Sequence, residues 1–155
     1  MLNKPILFNG EMVRAILEGR KTQTRRPLNG QPMKAPFGAG DLLWVRETFG
    51  QLGPDDPYIY RATCDRETRN ANNWYDRGFK WTPSIHMPRE ASRITLRVNR
   101  VWVHRLHDIT EDDAKAEGVD MTYRHGLQAL WRSIYQMWDA NPWVWSCEFE
   151  EATDD

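Results

Sequence analysis

One strand-like segment constrains the fold more than any other part of the sequence. Between Ile94 and Leu106, apolar and polar residues alternate with a period of two, which is typical of a strand that buries one face. The alternation changes phase once, near Asn99 and Arg100, as a one-residue β-bulge would require. Because bulges bend strands in the way that barrels need, the sequence predicts a small α+β barrel.

Shorter elements flank this strand on both sides. Asn9 and Thr110 are placed to cap helices, and Gly19 stands where a left-handed residue would end the first helix. The strands are expected to pair in antiparallel fashion. The apolar spacing predicts strands over 4–8, 42–46, 58–62 and 143–149, and helices over 11–18, 110–118 and 127–138.

The length fits one ordinary domain, which we predict over residues 1–150, followed by a frayed acidic tail over 151–155. A long insertion over 50–91 interrupts this domain, and it is polar and irregular from residue 63 onward. Aromatic residues spaced through it would anchor the insertion if buried, and would stack on bases if exposed. These aromatic residues are Trp74, Tyr75 and Trp81, and we favour anchoring.

Composition narrows the class of protein. A chain of 155 residues with 40% hydrophobic and 12% aromatic residues is not disordered, and its two cysteines are too few for a disulfide framework. It lacks the apolar run of about 20 residues that spans a membrane, so a cytoplasmic protein is expected. Residues 1–107 hold 18 Lys and Arg against 10 Asp and Glu, whereas residues 108–155 hold 3 against 12. This asymmetry fits either mutually neutralising surfaces or a basic face for a phosphate-bearing ligand.

The densest polar segment follows the first predicted helix. Five basic residues lie between Arg14 and Arg26, and Thr22 and Thr24 are interleaved with them. Having no apolar residue, the stretch over 20–26 is predicted to lie outside the core. Cations at a helix C-terminus favour the helix dipole, but cations mixed with hydroxyls also suit phosphate or a polar base edge.

Two residues of this segment suggest chemistry. Lys21 and Thr24 are three positions apart, and a lysine beside a hydroxyl can act as a base when burial or nearby cations lower its pKa. Glu117 lies in the last turn of a predicted helix, where the negative end of the dipole would raise its pKa and suit a general base. The alternative is that Lys21, Thr24 and Glu117 are ordinary solvent-exposed residues without a catalytic role.

Three blocks of the sequence, residues 15–26, 40–46 and 109–118, resemble the ASCH domain family. Residues 81–89 and 139–143 resemble the phage- and prophage-encoded members of that family. The resemblance implies a small PUA-like mixed β-barrel with flanking helices.

The resemblance also implies an activity. Some small bacterial ASCH proteins are amidohydrolases that remove the acetyl group of 4-N-acetylcytidine with a Lys, a Thr and a Glu, which correspond here to Lys21, Thr24 and Glu117. In this hypothesis Thr24, or a water that it holds, attacks the amide carbonyl, Lys21 eases proton removal, and Glu117 passes the proton to the leaving amine. The sequence departs from the minimal hydrolases in the long 50–91 insertion and in Arg25, where those enzymes carry an apolar residue.

Other ASCH proteins are linked to RNA, so the alternative functions are a non-catalytic RNA- or single-stranded-nucleic-acid-binding module and a ribonuclease. The expected partner is a modified nucleoside or such a nucleic acid, with no membrane. Neither a cofactor nor a metal site is expected, because His104 and His107 lack a third ligand at suitable spacing. The predicted binding residues are Arg20, Arg25, Arg26, Arg46, Trp81, His86, Arg89 and Arg93.

Overall fold

A computed structural model describes residues 2–28, 33–74, 78–118, 128–129, 131–132 and 138–153 of the chain. Its strands are β1 (Asn3–Leu7), β2 (Gln23–Pro27), β3 (Leu42–Arg46), β4 (Phe49–Gln51), β5 (Tyr58–Tyr60), β6 (Thr95–Arg105) and β7 (Trp143–Glu151). Its α-helices are α1 (Gly10–Leu17), α2 (Arg66–Ala71) and α3 (Glu111–Ala116). Four single-turn 3₁₀ helices span Arg61–Thr63, Ser84–His86, Arg89–Ala91 and Leu106–Asp108.

The main sheet has five strands in the order β1-β3-β6-β7-β2. β1 and β3 run parallel, so the expectation of antiparallel pairing is wrong for this pair. α1 and β2 separate these two strands in the chain and supply the crossover that a parallel pair needs. The remaining neighbours in this sheet pair in antiparallel fashion, and β4 and β5 form a separate two-stranded sheet.

The sheet curls so that one arginine side chain bridges its two edge strands. In a flat sheet, four spacings of about 4.8 Å would separate β1 from β2. Instead, Arg26 of β2 donates from Nη2 to the carbonyl oxygen of Leu7 in β1 at 2.8 Å. This curvature confirms the predicted α+β class with a mixed, barrel-like sheet.

The long central strand contains the predicted bulge. The register of β6 against β7 shifts between Val98 and Arg100. Beyond the shift, Val101 and Val103 pack against the core inside the curled sheet. Trp102, between them in the strand, therefore points to the outer face.

The segment over 20–26 is the clearest departure from expectation. We predicted that it lies outside the core, but most of it forms the edge strand β2, which pairs with β7 from Gln23 opposite Glu148 to Pro27 opposite Val144. Residues 23–25 are buried despite their polar side chains. The prediction failed because Arg25 finds a buried carboxylate, Glu117, 92 positions later in the chain, where α3 ends.

Three apolar clusters stabilise the fold. The largest lies inside the curled sheet and includes Val13 and Ile16 of α1. A second cluster, on the outer face, includes Ala114 of α3 together with Trp131 and Trp138. Most of the helix predicted over 127–138 lies outside the described residues, but the burial of these two tryptophans agrees with its predicted apolar face. The third cluster lies in the insertion.

The insertion is more regular than expected, since α2 and two 3₁₀ turns lie within 63–91. Trp74 and Phe79 are buried, and their ring centroids lie 5.5 Å apart. A Cβ at Gly50 would come within 2.5 Å of the Phe79 ring, so glycine permits this close packing. The prediction that Trp74 anchors the insertion is confirmed, while Tyr75 lies outside the described residues.

The predicted helix ends are confirmed. The Asn9 side chain accepts a hydrogen bond from the Met12 amide at 2.9 Å, and Gly19 adopts a φ of +78° after α1. Thr110 and Asp113 form a reciprocal capping box at the start of α3.

The C-terminal segment departs from the prediction. The start of the acidic tail is not frayed, since β7 runs through Glu151 and the Ala152 amide donates to the Thr95 carbonyl at 2.8 Å. Residues 154–155 lie outside the described residues. Across the described ranges, no helix is both long and apolar enough to cross a membrane.

Candidate active site

A buried ionic cluster joins the start of β2 to the end of α3. Lys21 Nζ lies 2.6 Å from Glu117 Oε2, and Arg25 Nη1 lies 2.9 Å from Glu117 Oε1. Both cationic side chains have no exposed surface, and that of Glu117 is 4% exposed. One carboxylate therefore bridges two buried cations.

The backbone around the cluster explains how these residues meet. The Lys21 amide donates to the Ala15 carbonyl at the end of α1, and the Thr22 amide donates to the Ala116 carbonyl at the end of α3. Gly118 follows with a φ of +85°, and a Cβ there would lie 2.9 Å from Ala15 Cβ and 3.0 Å from Lys21 Cβ. Glycine at 118 thus allows α3 to end against α1 and delivers Glu117 to Lys21.

A second layer holds the Arg25 guanidinium. Gln23 Oε1 accepts from Arg25 Nη2 at 2.8 Å, and Asp113 Oδ1 lies 3.6 Å from the same nitrogen. Gln23 Nε2 donates in turn to Glu148 Oε2 at 3.3 Å. The sequence analysis did not predict a role in the site for Gln23, Asp113 or Glu148. Asp113 has the position of a helix-capping residue, and Glu148 is one of several acidic residues near the C-terminus.

Burial and the neighbouring charges of opposite sign act against each other on the pKa values of Lys21 and Glu117. Burial lowers the pKa of Lys21, with Arg26 and Arg25 contributing in the same direction, and together they outweigh the opposing attraction of Glu117. Burial alone would raise the pKa of Glu117, but the charges and hydrogen bonds of Lys21 and Arg25 outweigh it and hold the pKa below its usual value. The expectation of a raised pKa for Glu117 is therefore wrong, because two adjacent cations dominate over the helix dipole.

Thr24 lies on the other face of β2 from Arg25, since successive strand residues point to opposite sides. It is completely buried opposite Cys147, and its hydroxyl makes no hydrogen bond with any described residue. Lys21 Nζ also donates, at 2.8 Å, to the carbonyl oxygen of Gln23, which belongs to the peptide bond that leads into Thr24. The amine therefore lies between the Glu117 carboxylate and the backbone that carries the hydroxyl.

Phe8 and Arg26 extend this inner face. Lys21 Nζ lies 5.7 Å from the centroid of the Phe8 ring, and the Arg26 guanidinium carbon lies 5.2 Å from it. Arg26 shares the inner face of β2 with Thr24, two positions away, and is the partly exposed member of the group. One aromatic ring on the inner face thus has an amine and a guanidinium beside it, and this ring, Phe8, was not predicted as part of the site.

The other predicted binding residues lie elsewhere or hold the fold. Arg20 is exposed and donates to Glu18 at 2.7 Å and to the Gly118 carbonyl at 2.7 Å. Arg46 donates to the carbonyls of Met87 and Ile85 and so braces the 3₁₀ turn that contains His86.

The remaining predicted residues belong to the insertion and its return to β6. Arg93 forms a two-bond ion pair with buried Glu47, each bond 3.0 Å long. The Arg89 guanidinium carbon lies 5.7 Å from the Trp44 ring centroid, and the Trp81 ring packs edge-on against Phe79. None of these contacts links the five residues Arg46, Trp81, His86, Arg89 and Arg93 to the Lys21–Glu117 pair.

The two histidines of the His-x-x-His pattern have separate partners. His104 Nε2 lies 2.6 Å from Ser146 Oγ, and His107 Nε2 lies 2.6 Å from the Trp138 carbonyl oxygen. In the described residues, no group of three or more His, Cys, Asp or Glu side chains could hold a metal ion.

Comparison with solved structures defines the class of fold. An ASCH domain from Lactobacillus crispatus JV V101 matches 97% of this chain and 79% of its own, with a TM-score of 0.58 and 12% identity. The hypothetical protein PH0355 matches 97% of this chain and all of its own, with a TM-score of 0.53 and 11% identity. This chain therefore has the ASCH-like, PUA-like fold.

A DUF984 protein from Enterococcus faecalis V583 shares the same architecture. It matches 98% of this chain and 80% of its own, with a TM-score of 0.51 and 15% identity. No family model and no curated protein matches the sequence. At these identities, the likeness establishes the fold and not the activity.

Proposed function

We propose that this protein hydrolyses an acyl amide on a cytidine-like nucleobase, with Lys21, Thr24 and Glu117 as its reacting residues. The observation that carries the proposal is the buried Lys21–Glu117 pair, whose amine also donates to the carbonyl of the peptide bond that leads into Thr24. The Thr24 hydroxyl is buried and makes no hydrogen bond within the described residues. Burying a hydroxyl without a hydrogen-bond partner costs free energy. Such groups are rare in folded proteins, and a catalytic role is one explanation for them. The resemblance of residues 15–26 and 109–118 to ASCH amidohydrolases supports the choice of reaction.

The chemistry begins at the inner face. Thr24 Oγ, or a water bound to it, attacks the amide carbonyl carbon while the Lys21 amine, in its neutral form, takes the proton. The carbon–nitrogen bond then breaks, and the proton passes from Lys21 to the leaving amino group. Where Thr24 itself attacks, water hydrolyses the resulting threonine ester and restores the hydroxyl.

The electrostatics of the cluster favour Lys21 as the proton carrier. Its lowered pKa increases the fraction of neutral amine near neutral pH. Glu117, with its lowered pKa, stays ionised and holds the amine in place, so the proton-shuttle role suggested by the sequence moves from Glu117 to Lys21.

Arg26 completes the proposed site. It lies two positions from Thr24 on the same face and is partly exposed, whereas Lys21 and Thr24 are buried. A guanidinium at that position is suited to orient a ligand that arrives from solvent. We therefore place substrate binding on the Arg26 side of the cluster.

An absorbance assay with 4-N-acetylcytidine tests the proposal. Wild type should convert it to cytidine, and Lys21→Ala or Thr24→Val should lower kcat/KM by about 10²–10⁴-fold. The matched control is Lys80→Ala, because Lys80 is an exposed lysine of the insertion. Absence of turnover by wild type, or full turnover by folded Lys21→Ala, would reject the hydrolase.

One observation favours nucleic-acid binding as a second candidate. On β6 and β7, two arginines stack on tryptophans, with Arg100 4.1 Å from the Trp102 ring centroid and Arg105 4.6 Å from that of Trp143. Trp143 is 40% exposed, so it could stack on a base. Oligonucleotide binding that weakens steeply with salt, without acetylcytidine turnover, would favour this function.

A further inference from the structure

A second polar cavity lies apart from the Lys21 cluster. It has a volume of about 670 Å³ and is bounded by the first turns of α1, the end of β3 and the insertion. We name it the arginine cleft, after the three arginines that line it: Arg14, Arg61 and Arg69. None of the cluster residues Lys21, Arg25 and Glu117 lines this cavity.

Two of the three guanidinium groups are held in place by the backbone of the insertion. Arg14 Nη1 donates to the Ala62 carbonyl at 3.1 Å, and Arg69 Nη1 donates to the Cys64 carbonyl at 2.8 Å. A guanidinium has five N–H donors, so each keeps others for a ligand. Arg69 Nε is buried without a hydrogen-bond partner among the described residues.

The third arginine has no such anchor. Within the described residues, the Arg61 side chain has no recorded hydrogen bond, ion pair or ring contact, and it is exposed at the cleft. The neighbouring Thr48 side chain, also partly exposed, adds a hydroxyl donor. Two pre-positioned guanidinium groups and one free one are suited to grip an anion with several oxygens.

Two carboxylates also line the cleft, and their charges must be weighed against the arginines. Both oxygens of Glu47 are engaged by Arg93, at 3.0 Å each, so this charge is already balanced. Glu11 is exposed at the first turn of α1, where water screens it. The balance of the cleft therefore remains positive.

We propose that the arginine cleft binds a phosphate ester of about nucleotide size. The volume lies within the range of pockets that hold small molecules and exceeds what a lone phosphate would fill. The phosphate oxygens would take the guanidinium donors, as planar arginine forks favour. The phosphate ester comes from either a free nucleotide or the terminus of a single-stranded oligonucleotide.

Cys64 provides a local readout for this cleft. It is a free, partly buried cysteine that lines the cavity, whereas Cys147 is buried in the core and its pKa is raised by burial to about 12. A thiol reagent near neutral pH should therefore modify Cys64 and leave Cys147 unreacted. Ligand bound in the cleft should shield Cys64.

The experiment combines calorimetry with thiol protection. Cytidine 5′-monophosphate should bind at least tenfold more tightly than cytidine and slow Cys64 modification at least threefold. Arg61→Ala should weaken binding about tenfold or more and remove the protection. Arg66→Ala should change neither, because Arg66 is an exposed arginine of α2 outside the cleft, and it serves as the matched control.

Two further experiments distinguish a free nucleotide from an oligonucleotide terminus, and the arginine cleft from the Lys21 cluster. A 5′-phosphorylated oligonucleotide that protects Cys64 at lower concentration than the mononucleotide would identify the polymer as the source, and the reverse would identify the free nucleotide. The protection of Cys64 by cytidine 5′-monophosphate should not depend on turnover of 4-N-acetylcytidine, because the cleft is lined by Cys64 and not by Lys21, so failure of the hydrolase leaves this test intact. The proposal is overturned if neither probe binds, or if binding occurs without protection of Cys64 or is equally weakened by Arg66→Ala.

Discussion

Two buried glutamates in this protein have opposite surroundings. The Glu117 carboxylate faces two cations, Lys21 and Arg25, whose side chains have no exposed surface. The Glu47 carboxylate faces one cation, Arg93, which grips both oxygens and keeps 24% of its own side chain exposed. Each carboxylate is almost fully buried, so burial alone does not distinguish the two sites.

The number of cations distinguishes them. Around Glu47 the charges balance in a two-bond pair that ties β3 to the return of the insertion, which is a structural role. Around Glu117 two cations share one carboxylate, and the pKa of Lys21 falls because burial and the neighbouring arginines penalise its charged form. A lysine whose pKa is lowered gives up its proton more readily, which suits it to proton transfer.

The largest expected effect separates the two pairs by activity. Lys21→Ala should lower hydrolysis of 4-N-acetylcytidine by about 10²–10⁴-fold, since it removes the proposed base. Arg93→Ala should keep kcat/KM within about threefold, after correction for the folded fraction, because it leaves the Lys21 cluster intact. Steady-state kinetics on both variants check this, and a similar loss in both would place Arg93 in the site.

The loss of stability should be larger for Arg93→Ala than for Lys21→Ala. Arg93→Ala leaves Glu47 buried without a counter-charge, and it should lower the free energy of unfolding by about 3–5 kcal/mol. Lys21→Ala leaves Glu117 still paired with Arg25, so its loss should be smaller by about 2 kcal/mol or more. Urea denaturation measures both, and equal losses would mean that Lys21 also stabilises the fold.

Acid should weaken the Glu117 site in a predictable direction. Its folded pKa lies below the usual value of 4.5, so the folded state binds fewer protons than the unfolded state between these two pKa values. This contribution to stability is complete above pH 4.5 and is lost as the pH falls through the folded pKa, with a slope of at most about 1.4 kcal/mol per pH unit. Wild type and Glu117→Gln should therefore converge in stability as the pH falls below 4.5. Urea titrations between pH 6 and pH 3 check this, and a constant gap would show that Glu117 does not titrate there.

The smallest expected change in stability is at Thr24. Its buried hydroxyl makes no hydrogen bond with a described residue, so Thr24→Val should raise the free energy of unfolding by up to about 1 kcal/mol. The same variant should lower kcat/KM by about 10²–10⁴-fold. Thermal denaturation and the hydrolysis assay measure the two effects. As a control, Thr22→Val at an exposed position should leave turnover unchanged. A destabilised Thr24→Val variant would assign the hydroxyl a structural partner.

Local signals were enough to predict several elements. The Asn9 cap, the left-handed Gly19 and the capping box of Thr110 depend on neighbouring residues, and the structure confirms all three. The phase change near Asn99 also marked the bulge in β6, because strand alternation is a property of the segment itself. Such features depend on contacts within a few residues of the chain.

The polar segment shows where local reasoning stopped. The stretch over 20–26 was predicted to lie outside the core because it has no apolar residue, and the sequence does not show which partners would accompany its charges in the interior. Glu117 and Gln23 supply those partners for Arg25, at 2.9 and 2.8 Å. A buried charge is tolerable only when a partner is in place, so the burial of β2 depends on the position of α3.

The candidate site was likewise predicted from the sequence only in part. The residue types at 21, 24 and 117 were identified from spacing and from the family resemblance, and the contact of Lys21 with Glu117 agrees with their grouping. The lowered pKa of Glu117 was not predicted, since it depends on the contacts of this carboxylate with Lys21 and Arg25. The arginine cleft was not predicted at all, because it exists only where the insertion meets α1.

By itself, the sequence determined where this chain turns, caps and bulges, since backbone sterics and side-chain hydrogen bonds act over a few residues. The tertiary structure alone decided which charges became buried, which of them share a partner and where the insertion leaves a cavity. The reason is that desolvation and Coulomb interactions depend on distance in space, and the residues concerned lie far apart along the chain.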